Sequence, residues 1–419
     1  MKNIKNILDE VLEEIQPDKE YEKEIFIRIK DIIRKIGRHN KNIKANLGGS
    51  GAKGTWLKTF DADIFVLFDY GKFNGKSSEL SDILERILKK DFKIVKRLHG
   101  SRDYFQLRQG RFTFEIIPIL KISKSPQAMN ITDVSPLHFK WVSKHKKLVN
   151  DMKLAKQFCK AQSIYGAESY IRGFSGYICE ILVVHYGSFY NLMKNAAKWP
   201  DKVVIDAEKH FKGMDIFKTV NTSKLISPLI VIDPVQKDRN AAAALSQEKF
   251  DAFKQAAKDF VAHPSKGFFS KKDMKKQFLD EKTKGRKLMT IEIVPLAGKR
   301  DVVGSKLMKI FEFLAKKLEE FGFKAIRREW EWENEKQACI YFLFEDRPLQ
   351  DKIEIEGPPI KMKEHTINFK KKHKKTFTKS GKICAIEDRE FTVPEKAIAN
   401  LLNDGFVKEK CRSIVLRFL

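Results

Sequence analysis

Two acids one residue apart, Asp61 and Asp63, stand at the head of the apolar run IFVLF, a few residues after the glycine-serine stretch GGSGAKG (Gly48–Gly54). On a strand, side chains alternate between faces, so both carboxylates would share one face. Acids that close repel, and a cation or a proton relieves them. A pair of Mg2+ ions would satisfy them and could align an attacking hydroxyl with a leaving pyrophosphate. The preceding loop suits that role. Gly48 and Gly49 let the backbone approach a ligand. Ser50 offers a hydroxyl and can open a helix whose first amides favour phosphate. Lys53 adds a cation. A third carboxylate should come from a neighbouring strand, and Glu115 in RFTFEIIPI is the candidate. Set among Phe112, Phe114, Ile116 and Ile117, it is expected in a buried environment where an unpaired charge is costly. A lone GGS is more often an ordinary loop, and a lone Asp-x-Asp is more often solvated. The joint pattern of loop, paired acids, apolar strand and distant third acid points to metal-dependent catalysis.

Alternating helices and short strands must hold these residues. Apolar spacing predicts helices over Ile4–Ile15, Glu20–Ile36 and Ser78–Lys90. Strands are expected at Asp63–Phe68, Phe92–Arg97, Tyr104–Leu107 and Arg111–Ile119, the last two flanking a Gln109-Gly110 turn. This reads as a mixed first domain over 1–140. Helices dominate 141–262. There RGFSGYICEILVVHYGSFYNLM (Arg172–Met193) is apolar nearly all round and reads as one buried helix with Ser175 near its start. Ser246 carries half of a capping box, with Lys249 where Glu is usual. The third region, 263–419, has a strand at Met289–Pro295, a helix at Ser305–Phe321, and strands at Phe323–Trp332 and Ala338–Glu345. That order suits a ferredoxin-like or RNA-recognition-like sheet. Ile367–Lys382 is its densest basic segment.

Composition narrows the partners. The 419 residues allow about two to four domains. A formal net charge of +27 exceeds what solubility requires and points to a polyanion, nucleic acid first. An anionic membrane surface fits less well, because the lysines are spread along the whole chain. No apolar run is long enough for a transmembrane helix, and the N-terminal stretch has no signal-peptide core. The five cysteines are scattered without a CxxC pair, and the nine histidines include no HExxH. A reduced, cytoplasmic protein is expected.

The joint pattern resembles the nucleotidyltransferase superfamily of DNA polymerase β, and more closely the archaeal, class I, CCA-adding tRNA nucleotidyltransferases. Further segments carry the likeness: SPLHFKWV (Ser135–Val142), LAKQFCKAQSIYGAESYIRGFSGYICEILVVHYGSF (Leu154–Phe189), VIDPVQKDRNAAAALS (Val231–Ser246), GFF (Gly267–Phe269) and REFTVPEKAI (Arg389–Ile398). It spans most of the chain and is weakest over Lys271–Lys382. The resemblance implies an α+β multidomain fold: a polymerase β-like palm (1–140), a helical neck that binds nucleotide and tRNA (141–262), and an α+β body and tail that bind tRNA (263–419). It implies template-independent addition of CCA to the tRNA 3′ end from CTP and ATP. Asp61, Asp63 and Glu115 would bind Mg2+, with Glu115 where the family generally has Asp. Gly49, Ser50, Lys53, His138, Lys156 and Tyr165 would hold the nucleotide, chiefly its triphosphate, and Arg239 would face the incoming base. Taken singly, each also has a bland reading: Lys156 a solvated helix residue, Tyr165 a turn aromatic, His138 a packed core histidine, Arg239 a salt-bridge residue.

Base choice has a physical handle. Cytosine and adenine present an exocyclic amine beside an unprotonated ring nitrogen. The resemblance implies a shared protein–RNA template, in which Arg239 would donate to that nitrogen while an RNA phosphate accepts from the amine. Lys53 stands where the family carries arginine, which keeps charge but loses the bidentate fork. Gly51 stands where it tends to carry a larger residue. The implied partners are tRNA, CTP and ATP, with no membrane, and a homodimer is compatible with the reading. The alternatives are a poly(A) polymerase-like terminal transferase and a non-catalytic RNA-binding relative.

Overall fold

A computed structural model describes residues 4–58, 62–271, 273–282, 285–334 and 336–418. Thr59, Phe60 and Asp61 therefore lie outside the described residues. The chain divides into two compact units, 1–272 and 273–419.

The first unit opens on a five-stranded sheet of β1 (Ile43–Leu47), β2 (Ala62–Asp69), β3 (Lys96–Leu98), β4 (Tyr104–Gln109) and β5 (Phe112–Lys121), in the order β1-β2-β5-β4-β3. Only β2 and β5 run parallel. Strand alternation sends Ala62, Ile64, Val66 and Phe68 of β2, with Phe114 and Ile116 of β5, to one face. They pack there on Ile25, Ile29, Ile32 and Ile36 of helix Lys19–Gly37 and on Leu80, Leu84 and Leu88 of helix Leu80–Asp91. Asp18 caps the first of these helices, accepting from the Glu20 and Tyr21 amides. β1 was not anticipated. The expected strand over Phe92–Arg97 forms only from Lys96, because Phe92 turns into the core at the end of the preceding helix.

A second core of the same unit joins helices Val149–Ala161, Gly176–Tyr186, Phe189–Ala196 and Gln247–Ala262. Helix Ile4–Ile15 contributes Val11, Leu12 and Ile15 to this core rather than to the first. Phe269 folds back into it as well, and the Gln157 side chain holds the Phe269 carbonyl at 2.6 Å. The single helix expected over Arg172–Met193 is two. Gly187 adopts a left-handed φ of 79°, ends the first, and lets Ser188 cap the second. A small sheet, absent from the expected helical neck, is built of β6 (Val203–Ile205), β7 (Leu229–Asp233) and β8 (Gln236–Asn240).

The second unit contains β9 (Arg286–Pro295), β10 (Arg327–Asn334), β11 (Gln337–Glu345) and, after an inserted three-stranded sheet of β12 (Lys352–Pro359), β13 (Thr376–Lys379) and β14 (Lys382–Asp388), the final β15 (Cys411–Phe418). Its main sheet has the order β10-β11-β9-β15 with every pair antiparallel. With helices Arg300–Glu320 and Pro394–Leu401 in the two crossovers, this is the ferredoxin-like arrangement expected from sequence. The basic segment falls on helix Lys363–Lys372 and β13 of the insertion.

Candidate active site

The metal-site candidates meet through strand register. Asp63 of β2 and Glu115 of β5 are direct Cα partners in the parallel pair. Both occupy half-buried positions on the face opposite the helix-packed core. The expectation that Glu115 is embedded among Phe112, Phe114 and Ile116 is therefore corrected. Those three side chains are buried on the far side of the sheet, and alternation turns Glu115 away from them. The glycine loop lies directly over Asp63. Gly48 N–H donates to the Asp63 carbonyl at 2.8 Å. Gly49 has φ +52°, and a Cβ there would stand 1.6 Å from Asp63 Oδ2. Only glycine allows this backbone to rest on that carboxylate. Gly51 has a reason too: a Cβ would lie 3.1 Å from both the Leu47 side chain and the Trp56 ring.

The loop leads into the short helix Gly49–Lys53, with Ser50 in its first turn. From its end Lys53 Nζ donates to Glu180 Oε2 at 2.8 Å and lies 5.1 Å from the Tyr177 ring centroid. Lys156 reaches the same carboxylate from helix Val149–Ala161, with Nζ 2.6 Å from Glu180 Oε1 and 2.7 Å from Thr55 Oγ1. Thr55 Oγ1 in turn donates to Glu180 Oε1 at 2.7 Å. Lys156 is only 3% exposed, which rules out its reading as a solvated helix residue. Burial alone would raise the Glu180 carboxyl, but the Lys156 and Lys53 charges and hydrogen bonds outweigh it and hold the group at about 2. Two ammonium groups thus share one ionised carboxylate, so the cluster keeps one positive charge in excess. Gly176 sits against it: a Cβ there would meet Tyr165 Oη at 2.7 Å and Lys156 Cε at 3.2 Å. Burial pushes the Tyr165 phenol up, so it stays protonated and can donate.

A second carboxylate gathers the remaining candidates. Asp233, wholly buried at the end of β7, accepts from Arg239 Nη1 at 2.6 Å, His138 Nε2 at 3.1 Å, Tyr177 Oη at 3.2 Å and the Val235 amide at 3.0 Å. The His138 ring stacks on Tyr177, with centroids 4.1 Å apart. Burial would raise Asp233, but the His138 hydrogen bond, with the Val235 amide and the Arg239 charge, reverses it and keeps it ionised. Burial lowers His138, favouring the neutral ring. An ionised carboxylate only accepts, so Nε2 carries the proton and Nδ1 is an acceptor.

Lys53 and Lys156 thus share Glu180, with the Tyr165 hydroxyl beside Gly176 next to Lys156, and His138 and Arg239 share Asp233. Lys53 over the Tyr177 ring joins the two groups. Sequence reasoning missed Glu180, Asp233 and Tyr177. One signal was available: Glu180 is the single acid of an otherwise apolar helix, GYICEILVVHY. Among the described residues no cluster of three or more His, Cys, Asp or Glu forms. Even so, two register-paired carboxylates under a loop that excludes any Cβ fit a hard divalent cation with oxygen ligands.

Comparison with known proteins gives the family. Residues 28–121 match the nucleotidyltransferase domain family, 150–270 the second domain of tRNA nucleotidyltransferase, and 284–414 the CCA-adding enzyme C-terminal domain. A CCA-adding enzyme of Methanocaldococcus jannaschii is 32% identical over 411 residues, covering 93% of this chain and 88% of that one. The chain belongs to the CCA-adding enzyme family. Another member, from Nanoarchaeum equitans, is 47% identical over 206 residues, about half of each chain (49% and 52%). A third, from Methanococcus maripaludis, is 30% identical over 419 residues, 96% of this chain and 92% of that one. Among solved structures, a Cid1 RNA terminal uridylyl transferase superposes with a TM-score of 0.53 at 14% identity, covering 65% of this chain and 99% of its own. A cytoplasmic RNA terminal U-transferase gives 0.52 at 15%, covering 65% and 100%. At that identity they bear on fold alone, which is the polymerase β-like nucleotidyltransferase fold. This CCA-adding enzyme is therefore a nucleotidyltransferase of a superfamily that works with divalent metal ions. No helix among its described residues is long and apolar enough to cross a membrane.

Proposed function

We propose that this CCA-adding enzyme transfers nucleotides on the sheet face where Asp63 and Glu115 are register partners beneath Gly49. That adjacency carries the reading. Asp63 and Glu115, joined by Asp61, would hold Mg2+. When bound, the metal supplies charge neutralisation at the α-phosphate and lowers the pKa of the attacking hydroxyl. Lys53 and Lys156 take the triphosphate with their one surplus positive charge, and Tyr165 and Ser50 add hydroxyl donors. The backbone at Gly49 lets phosphate oxygens approach without a side chain in the way. The neutral His138 contributes a hydrogen-bond acceptor rather than charge, which suits a hydroxyl of the nucleotide better than its phosphates. Arg239 faces the base.

The same reading takes tRNA as the polyanionic partner and CTP and ATP as substrates. It keeps the division into palm 1–140, neck 141–262 and body and tail 263–419, in a cytoplasmic setting, with a homodimer as the assembly to check by light scattering. The deciding experiment incubates the protein with tRNA ending at the discriminator base, Mg2+, and labelled CTP or ATP. Addition of C, C and A followed by arrest is expected. Long A-tails would indicate a poly(A) polymerase-like enzyme, and tight tRNA binding without incorporation a non-catalytic relative. Asp61→Ala should abolish incorporation and leave tRNA affinity nearly unchanged. Retained activity in that variant would remove Asp61 from the site.

A further inference from the structure

Asp233 is a buried, heavily engaged carboxylate of the neck. It takes three side-chain donors, Arg239, His138 and Tyr177, and one amide, at 2.6–3.2 Å, with no exposed surface of its own. A buried ionised acid with that many donors is rigidly held, and it holds its donors in return. Arg239 is 31% exposed, so with Nη1 taken by Asp233 the rest of its planar fork can still meet a ligand. The Val235 amide fixes Asp233 from its own turn. The other three donors come from different parts of the chain: helix Ser135–Val142, helix Gly176–Tyr186 and β8.

We propose that Asp233 is a positioning residue for base selection, fixing the Arg239 guanidinium so that it accepts only bases with an unprotonated ring nitrogen beside an exocyclic amine. This rests on the reading that Arg239 faces the incoming base. The physical reason is geometric. Discrimination between cytosine and uracil turns on a donor meeting a lone pair rather than an N–H. A guanidinium free to swing can retreat from the wrong base, whereas one tied to a buried carboxylate cannot. Triphosphate contacts lie around Glu180 and should be unaffected.

The test measures kcat/KM for CTP and for UTP on tRNA ending at the discriminator base, in the wild type, Asp233→Asn and Arg239→Ala. The Asn amide keeps the shape but turns one acceptor into a donor. In Asp233→Asn the CTP-over-UTP preference should fall about tenfold or more, with tRNA affinity unchanged. Arg239→Ala should lose preference to a similar degree, and the double variant should lose little beyond either single one. Loss of preference in Arg239→Ala with full preference in Asp233→Asn would overturn the role of Asp233. Unchanged preference in Arg239→Ala would instead overturn the reading of Arg239. Should Asp233→Asn fail to fold, Asp233→Glu keeps the charge and moves the carboxylate by one bond. Its preference should drop, and an undiminished one would overturn the proposal.

Discussion

Glu180, itself buried, organises the two lysines proposed to hold the triphosphate. Lys53 and Lys156 both donate to it, so its loss leaves a buried and a partly buried ammonium group without their shared counter-charge. Glu180→Gln should destabilise the protein by about 3–5 kcal/mol, read by chemical denaturation. In whatever fraction folds, KM for both nucleotides should change far more than kcat, because the lysines lose their common anchor. Equal loss in kcat would mean that the network serves chemistry rather than binding. The sign of the pH effect follows from the depressed carboxyl. Its contribution is complete above the ordinary value of 4.5 and is lost as pH falls toward about 2. That contribution amounts to about 3 kcal/mol. Acid titration of stability should show this loss in the wild type, and it should be missing in Glu180→Gln. At Gly49 the expectation is starker. An alanine Cβ would overlap the Asp63 carboxylate and force a left-handed backbone on a residue that disfavours it. Gly49→Ala should therefore abolish incorporation while circular dichroism stays close to wild type; activity within a few-fold of wild type would show that the loop can move off Asp63.

At the scale of elements, the site depends on how β5 is pinned. Its end is locked by a buried pair: Arg102 Nη1 donates to Asp133 Oδ1 at 2.5 Å and to the Pro118 carbonyl at 3.1 Å. Asp133 also accepts from the Leu120, Met129 and Asn130 amides. That clamp fixes the strand that carries Glu115 to the segment entering helix Ser135–Val142, which carries His138. Asp133→Ala strands the Arg102 charge and several amides, and should cost about 3–5 kcal/mol. A melting temperature within a degree or two of wild type would show that water or a rearranged Arg102 replaces the pair. Helix and strand periods made most elements legible in the sequence. They failed where a local signal was outweighed. Gly187 split an uninterrupted apolar run, and the β7 strand LIVID, buried at all five positions, carried no alternation to separate it from a helix.

For the whole molecule, the charge of +27 predicts electrostatic tRNA binding with counterion release. Between 50 and 200 mM salt the affinity should fall about a thousandfold or more if six or more phosphates are neutralised. A nearly flat salt dependence would mean that the lysines mainly serve the protein's own ion pairs. Sequence alone determined the family and its nucleotidyltransferase class, and it supplied the candidates for the site: paired acids, a glycine loop, cations for phosphate and an excess of positive charge for RNA. Strand parity, which is local and depends on no distant partner, already separates Glu115 from Phe112, Phe114 and Ile116, although the expectation from sequence set it among them. The contacts of the cations were beyond it. Lys53, Lys156 and Glu180 are more than a hundred positions apart at the extremes, as are His138 and Arg239, and nothing local says that each group shares a single carboxylate. Packing of helix Gly176–Tyr186 against the loop and β7 decided that. Once buried, a charge must find its partner wherever the tertiary structure brings one.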